Sequence, residues 1–192
     1  MLSGLPKFAT ERLVIRIPQA GDAEKLRDYY LHNRAHLAPW EPIRSEDYYG
    51  LRWWRLRIAQ INTEFNEASA VSFIALTPGQ DKIVAVANFS NIIHGVFKSC
   101  YLGYSIAKVY EGKGLMVEFL QVCLGFMFEN MGLNRVMANY IPVNERSGLL
   151  LQRLGFEREG YARKYLKIAG QWQDHVLTAL IQEDWLARKT LS

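Results

Sequence analysis

The sequence predicts a mixed α+β fold in which helices cover a central mixed sheet. Runs rich in β-branched and aromatic residues read as strands, and segments of helical period separate several of them. No internal repeat, linker or low-complexity run interrupts the 192 residues. With 49% hydrophobic and 22% charged residues, the composition is that of an ordinary globular protein. We therefore expect residues 1–192 to form one domain.

The N-terminal third alternates strand and helix signals. Residues 12–16 read as a strand, and Asp22 is placed to cap a helix that runs to about residue 36, before a proline. Ser45 is a favourable N-cap for a second helix over about 46–60, which carries tryptophans among arginines. These elements predict a helical layer that packs on the first strand.

The central part of the chain predicts a strand-rich segment. Residues 71–76 and 83–91 are β-branched and aromatic runs, and Pro78 and Gly79 between them indicate a hairpin. A third run, 100–106, follows a glycine turn. We expect these three strands to be neighbours in the sheet.

The C-terminal half predicts two helices and three strands. Residues 115–130 are apolar on most sides, so this helix is expected to be buried against the sheet. A strand over 135–141 follows, and Asn144 is placed to cap a short helix that ends at Leu154. Two last strands flank a turn at Gly170, which brings the predicted sheet to about seven strands.

Charge and cysteine content limit the classes of function. The formal net charge of +4 suits an anionic ligand or an RNA-rich neighbourhood without demonstrating nucleic-acid binding. Cys100 and Cys123 each lie in an apolar run, which predicts buried free thiols in a reducing compartment. No segment approaches the roughly 20 apolar residues of a membrane span, so we expect a cytoplasmic protein.

A glycine-containing loop precedes the apolar helix. Gly112 and Gly114 allow backbone N–H groups to turn toward one point at the helix N-terminus, and Lys113 adds a cation, so the loop suits a pyrophosphate. The alternative is a tight turn without a ligand. A Walker loop is excluded because Gly114 stands where Ser or Thr is needed. The dinucleotide fingerprint is excluded because Val117 stands where its third glycine should be.

Four linked segments resemble the GCN5-related N-acetyltransferase (GNAT) family. They are the loop 109–114, the preceding 102–106, the following apolar helix, and 144–147 through 154–156, which resembles the family's second coenzyme-binding motif. The chain departs from the pattern at Val109, where the family usually has Gln or Arg that would contact the pyrophosphate. The resemblance implies a largely antiparallel sheet that is split at a V-shaped opening and binds acetyl-CoA, with no metal.

Four further segments look like the RimJ-type ribosomal-protein alanine N-acetyltransferases. They are 137–140, 144–148, 154–162 and 170–176, and the resemblance extends over nearly the whole chain. It implies that acetyl passes from acetyl-CoA to the N-terminal alanine α-amine of a ribosomal protein, by direct attack of the amine on the thioester. The implied partner is a ribosomal-protein N-terminus on the assembling small ribosomal subunit, with weak RNA contact.

The resemblance also implies which residues bind the cosubstrate. The strand before the loop would pair with the pantetheine amides, and an N–H near its end would stabilise the oxyanion. The full set expected to bind acetyl-CoA is Gly103, Tyr104, Ser105, Ile106, Glu111, Gly112, Lys113, Gly114, Leu115, Met116, Asn139, Asn144, Ser147 and Leu151.

Ser147 is the preferred donor to the leaving thiolate. Its spacing to the leucines that follow places a hydroxyl on the helical stripe that faces inward, although a local capping role in the first turn is an equal alternative. Tyr140 and Tyr161 are alternates for which packing is the simpler explanation. A base would help to deprotonate an α-amine, and Glu41 and Glu67 are candidates, although an ordinary surface or loop carboxylate is the favoured interpretation of each.

The first two helices would form one wall of the acceptor site. The residues expected there are Trp40, Tyr48, Tyr49, Trp53, Trp54 and Tyr140. The segment 52–57 can also be read as a basic and aromatic surface for RNA, and packing combined with cleft lining is the favoured interpretation.

Three other functions are weighed against this one. His32 and His36 have a spacing that can bind zinc, but Asn33 stands where a metalloprotease has its glutamate and no third ligand is evident. A small amine such as a polyamine or an antibiotic could be the acceptor, yet arginines outnumber acidic residues over 44–57, which disfavours a polycation. A third reading is a coenzyme-A-binding or ribosome-associated module without turnover.

Overall fold

The structure, a computed structural model, describes residues 5–190. Eight strands form one sheet in the order β1-β2-β3-β4-β5-β6-β8-β7. The strands are β1 (Lys7–Ala9), β2 (Val14–Arg16), β3 (Val71–Leu76), β4 (Ile83–Ile93), β5 (Ser99–Ile106), β6 (Arg135–Met137), β7 (Glu157–Ile168) and β8 (Gln171–Ile181). All neighbours are antiparallel except β5 and β6, which are parallel.

Six α-helices accompany the sheet in the described residues. They are α1 (Ala23–His32), α2 (Arg34–Leu37), α3 (Leu51–Asn66), α4 (Leu115–Gly125), α5 (Glu145–Leu154) and α6 (Gln182–Lys189). A π-helical segment, Phe126–Asn130, continues α4. Short 3₁₀ turns lie at Ala20–Asp22, Ala38–Trp40, Glu46–Tyr49 and Lys108–Tyr110.

Both faces of the central strands are covered. In β3, Phe73 and Ala75 pack into one hydrophobic cluster with α4 and α5, whereas Ile74 and Leu76 pack into a second cluster with α1 and α3. Successive strand residues point to opposite faces, so a strand with two covered faces is apolar at most positions. All six residues of β3 are buried accordingly.

The sheet splits between β5 and β6. The first three residues of β5 pair with the three residues of β6. The last of these pairs is Tyr101 with Met137, where β6 ends. The following residues turn to β8, where Tyr140 pairs with Val176. Residues 102–106 of β5 therefore have no strand beside them on that edge, and their free backbone groups line a V-shaped opening. The predicted mixed, split sheet is confirmed.

The strand predictions hold with two differences. An additional short strand, β1, pairs with β2 and brings the sheet to eight strands rather than about seven. The predicted strand over 135–141 is shorter, because β6 ends where the sheet opens. The hairpin between β3 and β4 is confirmed, as is the burial of α4.

The first predicted helix is interrupted at Asn33. Its backbone leaves the helical region, and its side chain donates to the Tyr29 carbonyl and accepts from the Lys108 N–H. The prediction that Asp22 caps this helix with its side chain is wrong. The Asp22 carboxylate is instead buried against Arg16 and accepts a hydrogen bond from the Gln19 N–H.

The second predicted helix is divided at Gly50. The backbone of Gly50 is extended, so a 3₁₀ turn over Glu46–Tyr49 precedes α3, which continues to Asn66. Ser45 makes no side-chain capping bond. Helix α6 has no counterpart in the sequence predictions. It packs Trp185 against Gly125, where an added Cβ would lie 3.3 Å from the indole ring.

Cys100 and Cys123 are buried free thiols, as predicted. Burial raises the pKa of the Cys100 thiol to about 12. Among residues 5–190, no helix has the length and apolar character that a bilayer crossing would require.

Candidate active site

A cleft of about 1270 Å³ lies at the opening of the sheet. Its floor is the free edge of β5, one wall is the start of α4 and α5, and the other wall is the segment that links α2 to α3. The β7–β8 hairpin closes one end through Tyr165, Ile168 and His175. The cleft is therefore elongated, with different chemistry at its two ends.

The end of the cleft at α4 is a glycine loop whose geometry suits an anion. Gly112 and Gly114 have φ values of 73° and 76°, which residues with a Cβ rarely adopt, and Leu115 begins α4. Such a turn presents unpaired N–H groups at the positive end of the helix dipole. Arg12 holds the loop from below, since its Nη1 donates to the Lys113 carbonyl over 2.8 Å and its Nε donates to Glu118 over 2.7 Å.

Glu111 lies at the centre of a cluster of basic side chains beside this loop. Its carboxylate is 2.9 Å from Arg146, 3.2 Å from Lys108 and 3.4 Å from His36. Burial by itself would raise the pKa of Glu111, but the bonds from Arg146 and Lys108 outweigh it and lower the pKa. The cluster ties α2, the loop and α5 together around the cleft mouth.

Two polar contacts connect α1 to the cleft floor. The Tyr29 hydroxyl lies 2.9 Å from the Ser105 hydroxyl, and Asn33 accepts from the Lys108 N–H over 2.9 Å. Burial raises the pKa of Tyr29, so this hydroxyl stays protonated. No local sequence pattern indicates a role for Arg12, Tyr29 or Asn33, because each contacts residues at least 75 positions away in the chain.

Ser147 and Tyr104 face each other across the middle of the cleft. Their hydroxyl oxygens are 2.7 Å apart, and both residues line the cleft. Asn144 caps α5 as predicted, since its side chain accepts from the Ser147 N–H. Ser147 therefore lies in the capped first turn of α5, and its hydroxyl bonds Tyr104 in the cleft rather than capping the helix. Burial raises the pKa of Tyr104 to about 12, so its hydroxyl remains a donor.

Tyr140 packs directly on the backbone of α5. A Cβ added to Gly148 would lie 2.9 Å from two ring carbons and the hydroxyl oxygen of Tyr140, so a larger residue would have to displace the Tyr140 side chain. Tyr140 lines the cleft beside Ser147. The contact positions an aromatic wall next to the Tyr104 and Ser147 hydroxyls.

The opposite wall carries a carboxylate. Glu41 lines the cleft with 20% of its side chain exposed, and Arg44 lies 3.4 Å from it. Burial raises the pKa of Glu41, and Arg44 offsets only part of that rise. The Glu41 carbonyl accepts from the Ala169 N–H over 2.9 Å, which joins this segment to the tip of the β7–β8 hairpin. This end of the cleft is thus closed on two sides.

Most of the residues predicted to bind acetyl-CoA line the cleft. They are Gly103, Tyr104, Ser105, Ile106, Glu111, Gly112, Gly114, Leu115, Met116, Asn139, Asn144 and Ser147. Lys113 and Leu151 do not. The Lys113 ammonium donates to the Val109 carbonyl over 2.8 Å on the outer side of the loop. Leu151 is only 1% exposed, because its position on α5 faces the core.

The predicted acceptor residues divide into two groups. Trp40 and Tyr140 line the cleft. The other four instead pack in an aromatic cluster with Tyr30 beneath the wall; they are Tyr48, Tyr49, Trp53 and Trp54. In this cluster the rings of Tyr30 and Trp54 stack with their centroids 4.9 Å apart. This placement favours the packing interpretation for the tryptophans.

Two candidate catalytic residues lie away from the cleft. Glu67 is exposed at the end of α3, where it begins the turn to β3. Tyr161 is half exposed on β7, and its hydroxyl donates to Asp174 over 2.6 Å. Neither residue is among those that line the cleft.

His32 and His36 do not share a helix. His32 ends α1, whereas His36 belongs to α2 and pairs with Glu111. Within residues 5–190, no group of three His, Cys, Asp or Glu side chains is arranged to hold a metal ion.

The cleft suits a long ligand that is anionic at one end. The open space beside Gly112, where an added Cβ would meet nothing within 4 Å, leaves room for a phosphate against the backbone. The free edge of β5 offers N–H and C=O groups to an extended amide chain. The Tyr104 and Ser147 hydroxyls lie beside this edge. Such a site fits a nucleotide-linked thioester.

This arrangement of sheet, loop and cleft defines an acyltransferase class, and residues 12–157 match the model of the acetyltransferase (GNAT) domain family. The chain belongs to the GNAT acetyltransferase family and is an N-acetyltransferase. The enzyme class inferred from the four sequence motifs is confirmed.

Two curated relatives cover almost the whole chain. The chain is 49% identical over 185 residues to the [ribosomal protein uS5]-alanine N-acetyltransferase of Escherichia coli (strain K12), with 95% of each chain covered. It is 30% identical over 172 residues to a probable N-acetyltransferase, YjcK, of Bacillus subtilis (strain 168), covering 90% of this chain and 95% of the relative.

Solved structures agree with this assignment. The ribosomal-protein-S5-alanine acetyltransferase of Vibrio fischeri superimposes with a TM-score of 0.90 at 38% identity, covering 94% of this chain and 98% of that one. Mycobacterium smegmatis RimJ, solved in complex with CoA-disulfide, superimposes with a TM-score of 0.84 at 24% identity, covering 96% and 94%. The second comparison supports the fold alone.

Proposed function

We propose that this enzyme transfers acetyl from acetyl-CoA to the N-terminal alanine α-amine of a ribosomal protein. The observation that carries the proposal is one continuous cleft that joins the Gly112 loop to the Glu41 wall, with the Tyr104 and Ser147 hydroxyls between them. The similarity to the uS5-alanine N-acetyltransferase, which extends over 95% of both chains, supports the choice of acceptor.

The residues of the loop and of β5 would hold the cosubstrate. Acetyl-CoA supplies an activated acyl thioester when bound. The backbone N–H groups around Gly112 and Gly114 would bind its pyrophosphate, and this contact does not need the side chain that Val109 lacks. The free edge from Gly103 to Ile106 would pair with the pantetheine amides, and an N–H at its end would stabilise the developing oxyanion.

Ser147 would protonate the leaving thiolate. A thiol has a reference pKa of about 8.5, so a donor at the sulfur helps the thiolate to leave near neutral pH. Tyr104 donates to or accepts from Ser147 at 2.7 Å and keeps its own proton, so it can hold the serine hydroxyl in the donating orientation. Tyr140, packed on Gly148, would limit the space around the acetyl group.

Glu41 would attract the acceptor. A peptide α-amine has a reference pKa of about 7.7 to 8.0 and arrives mostly as a cation at neutral pH. The Glu41 carboxylate is the acidic group of the wall opposite Ser147, and it favours a positive charge in a partly dry cleft. Trp40 would cover the first residues of the acceptor peptide. Glu67 and Tyr161 have no role in this proposal, because both lie outside the cleft.

The proposal includes the setting of the reaction. Residues 1–192 would act as one acetyltransferase domain in the cytoplasm, where ribosomal proteins are made. The acceptor would be met as a free N-terminus or on the assembling small subunit, and the arginines of 52–57 would be close to RNA there.

A panel of acceptors tests this function. Free-thiol release from acetyl-CoA should be fast with peptides that begin with Ala, slower with Ser, and at background level with spermidine or with peptides whose only amine is a lysine. An Ala peptide with a blocked N-terminus is the matched control and should give no release. Release with spermidine alone would contradict the proposed acceptor, and no release with any amine would contradict the proposed catalysis.

A further inference from the structure

His175 of β8 is a buried titratable residue at the acceptor end of the cleft that the proposed function leaves unused. It is 3% exposed and lines the cleft together with Tyr165. Its Nδ1 lies 3.1 Å from the Gln173 carbonyl oxygen. A carbonyl can only accept, so Nδ1 carries the hydrogen, and the neutral ring then has its free electron pair on Nε2. Within residues 5–190, Nε2 makes no hydrogen bond.

The pairing of the strands places His175 at the level of the reacting atoms. Tyr101 of β5 lies opposite Met137 in a parallel pair, so Ser105 is level with Ile141 across the opening. Tyr140 pairs with Val176 in an antiparallel bridge, so Ile141 is level with His175. His175 therefore lies across the opening from the end of β5, where the oxyanion would form.

Side-chain direction places His175 on the acceptor side. Val176 pairs with Tyr140, which packs on Gly148 of α5. Adjacent strand residues point to opposite faces, so the side chain of His175 is on the face away from α5. That face is the one on which the α2–α3 segment carries Glu41 and Arg44.

The surroundings of His175 fix the ring and keep it neutral. The centroids of the Tyr165 and His175 rings are 5.4 Å apart, and the Tyr165 hydroxyl accepts a hydrogen bond from the Asn139 amide over 3.3 Å. Burial lowers the pKa of His175, while the Gln173 carbonyl and the neighbouring Asp174 offset part of this effect. The other charged groups of this end are Glu41 and Arg44 on the opposite wall.

We infer that His175 is the proton acceptor for the α-ammonium group of the acceptor, an inference that rests on the proposed function. Nε2 takes one proton from the ammonium group, and the freed electron pair of nitrogen forms the bond to the acetyl carbon. The carbon–sulfur bond breaks, its electron pair leaves on sulfur, and sulfur takes a proton from Ser147. The second nitrogen proton passes through water to the Ser147 oxygen, which restores the serine hydroxyl, and the His175 ring then releases its proton to solvent. Glu41 attracts the cation, and His175 removes its proton.

A pH profile of the His175→Gln variant tests the inference. The wild-type enzyme should deprotonate bound ammonium and keep its kcat/KM for an Ala peptide at pH values below the pKa of the amine. The variant can use only peptide whose amine is already neutral, so its kcat/KM should fall as the pH drops below the amine pKa. With that pKa near 7.8, we expect a loss of about twentyfold at about pH 6.5 and almost none at about pH 9.

The outcomes separate this inference from the proposed function. Coenzyme A binding and the melting temperature report on folding, and His175→Asn serves as a second variant. An unchanged profile, or an equal loss of activity at every pH, would overturn the role of His175 and leave the proposed function intact. A profile that changes in Glu41→Gln but not in His175→Gln would assign the proton to Glu41. Absence of wild-type transfer to any peptide would instead overturn the proposed function.

Discussion

The Tyr104 and Ser147 hydroxyls lie 2.7 Å apart and join β5 to α5 across the opened sheet. The local structure of β5 or of α5 does not by itself produce this contact, since the two residues are 43 positions apart in the chain. The pair connects the strand edge that would hold the pantetheine chain with the helix that would hold the leaving sulfur. It is the point on which the proposed transfer depends.

Ser147→Ala should lower turnover at least about tenfold while barely changing coenzyme A affinity, because the donor acts only as the thiolate leaves. Free-thiol release and equilibrium binding of coenzyme A measure the two effects. Ser45→Ala is the matched control, since Ser45 makes no side-chain capping bond and should be silent. Unchanged turnover in Ser147→Ala would remove this residue from catalysis.

Gly112→Ala should weaken coenzyme A binding about tenfold. A left-handed conformation costs a residue with a Cβ about 1–2 kcal/mol, and Gly112 has a φ of 73°. The added methyl group meets nothing within 4 Å, so the loss would come from the backbone rather than from a clash. Gly21→Ala is the control, because its surroundings are equally open and its φ lies outside the left-handed region. Equal affinity in both variants would contradict the anion-loop assignment.

Glu41→Gln should raise the KM for an Ala peptide about fivefold, the equivalent of about 1 kcal/mol for a partly exposed charge pair. Coenzyme A affinity should not change, because Glu41 is on the acceptor wall. Glu46→Gln removes a neighbouring carboxylate that pairs with Arg34 on the surface and should leave the KM unaltered. If both variants raised the KM equally, the effect would be one of general surface charge.

Gly148→Ala should displace Tyr140 and reduce turnover. The added Cβ would lie 2.9 Å from the Tyr140 ring, and such overpacking typically costs about 1–3 kcal/mol of stability. Denaturant unfolding and thiol release measure the two effects. Gly160→Ala is a suitable comparison, since its nearest neighbour is a Leu177 methyl group at 3.8 Å. Normal turnover in Gly148→Ala would show that the position of Tyr140 does not matter.

Asp22→Asn should lower the free energy of unfolding by about 3–5 kcal/mol, because it leaves the buried Arg16 guanidinium without its partner. Asp28→Asn, which breaks an exposed pair with Arg27, should cost about 1 kcal/mol or less. Urea unfolding at neutral pH compares them. A similar cost for both would contradict the importance of burial.

The same aspartate predicts a pH dependence. Burial by itself would raise the pKa of Asp22, but the bonds from Arg16 and the Gln19 N–H outweigh it and lower the pKa. Its stabilisation is therefore present above the usual aspartate range and is lost as the pH falls through the lowered value. Unfolding curves should show that the deficit of Asp22→Asn shrinks on acidification below about pH 4.

Local chemistry explains why much of the fold could be predicted. The strand Val71–Leu76 was predicted with its observed bounds because its residues are mostly apolar and include β-branched Val71 and Ile74, which is typical of a strand with two covered faces. The glycine loop and the Asn144 cap were predicted because backbone conformation and capping depend on a few adjacent residues. The breaks at Asn33 and Gly50 were missed because helical periodicity continues through them.

By itself the sequence determined the class of fold, which follows from the order of strand and helix patterns along the chain. It also determined the glycine loop and the inward position of Ser147, since each depends on a few neighbouring residues. Only the tertiary structure decided which distant groups meet. It set Arg12 under the Lys113 carbonyl, 101 positions away, and placed His175 level with Ser105 across the opening. It also separated Trp40, which lines the cleft, from Trp54, which packs below it. Such contacts depend on strand order and on where the sheet splits, and no local pattern encodes either one.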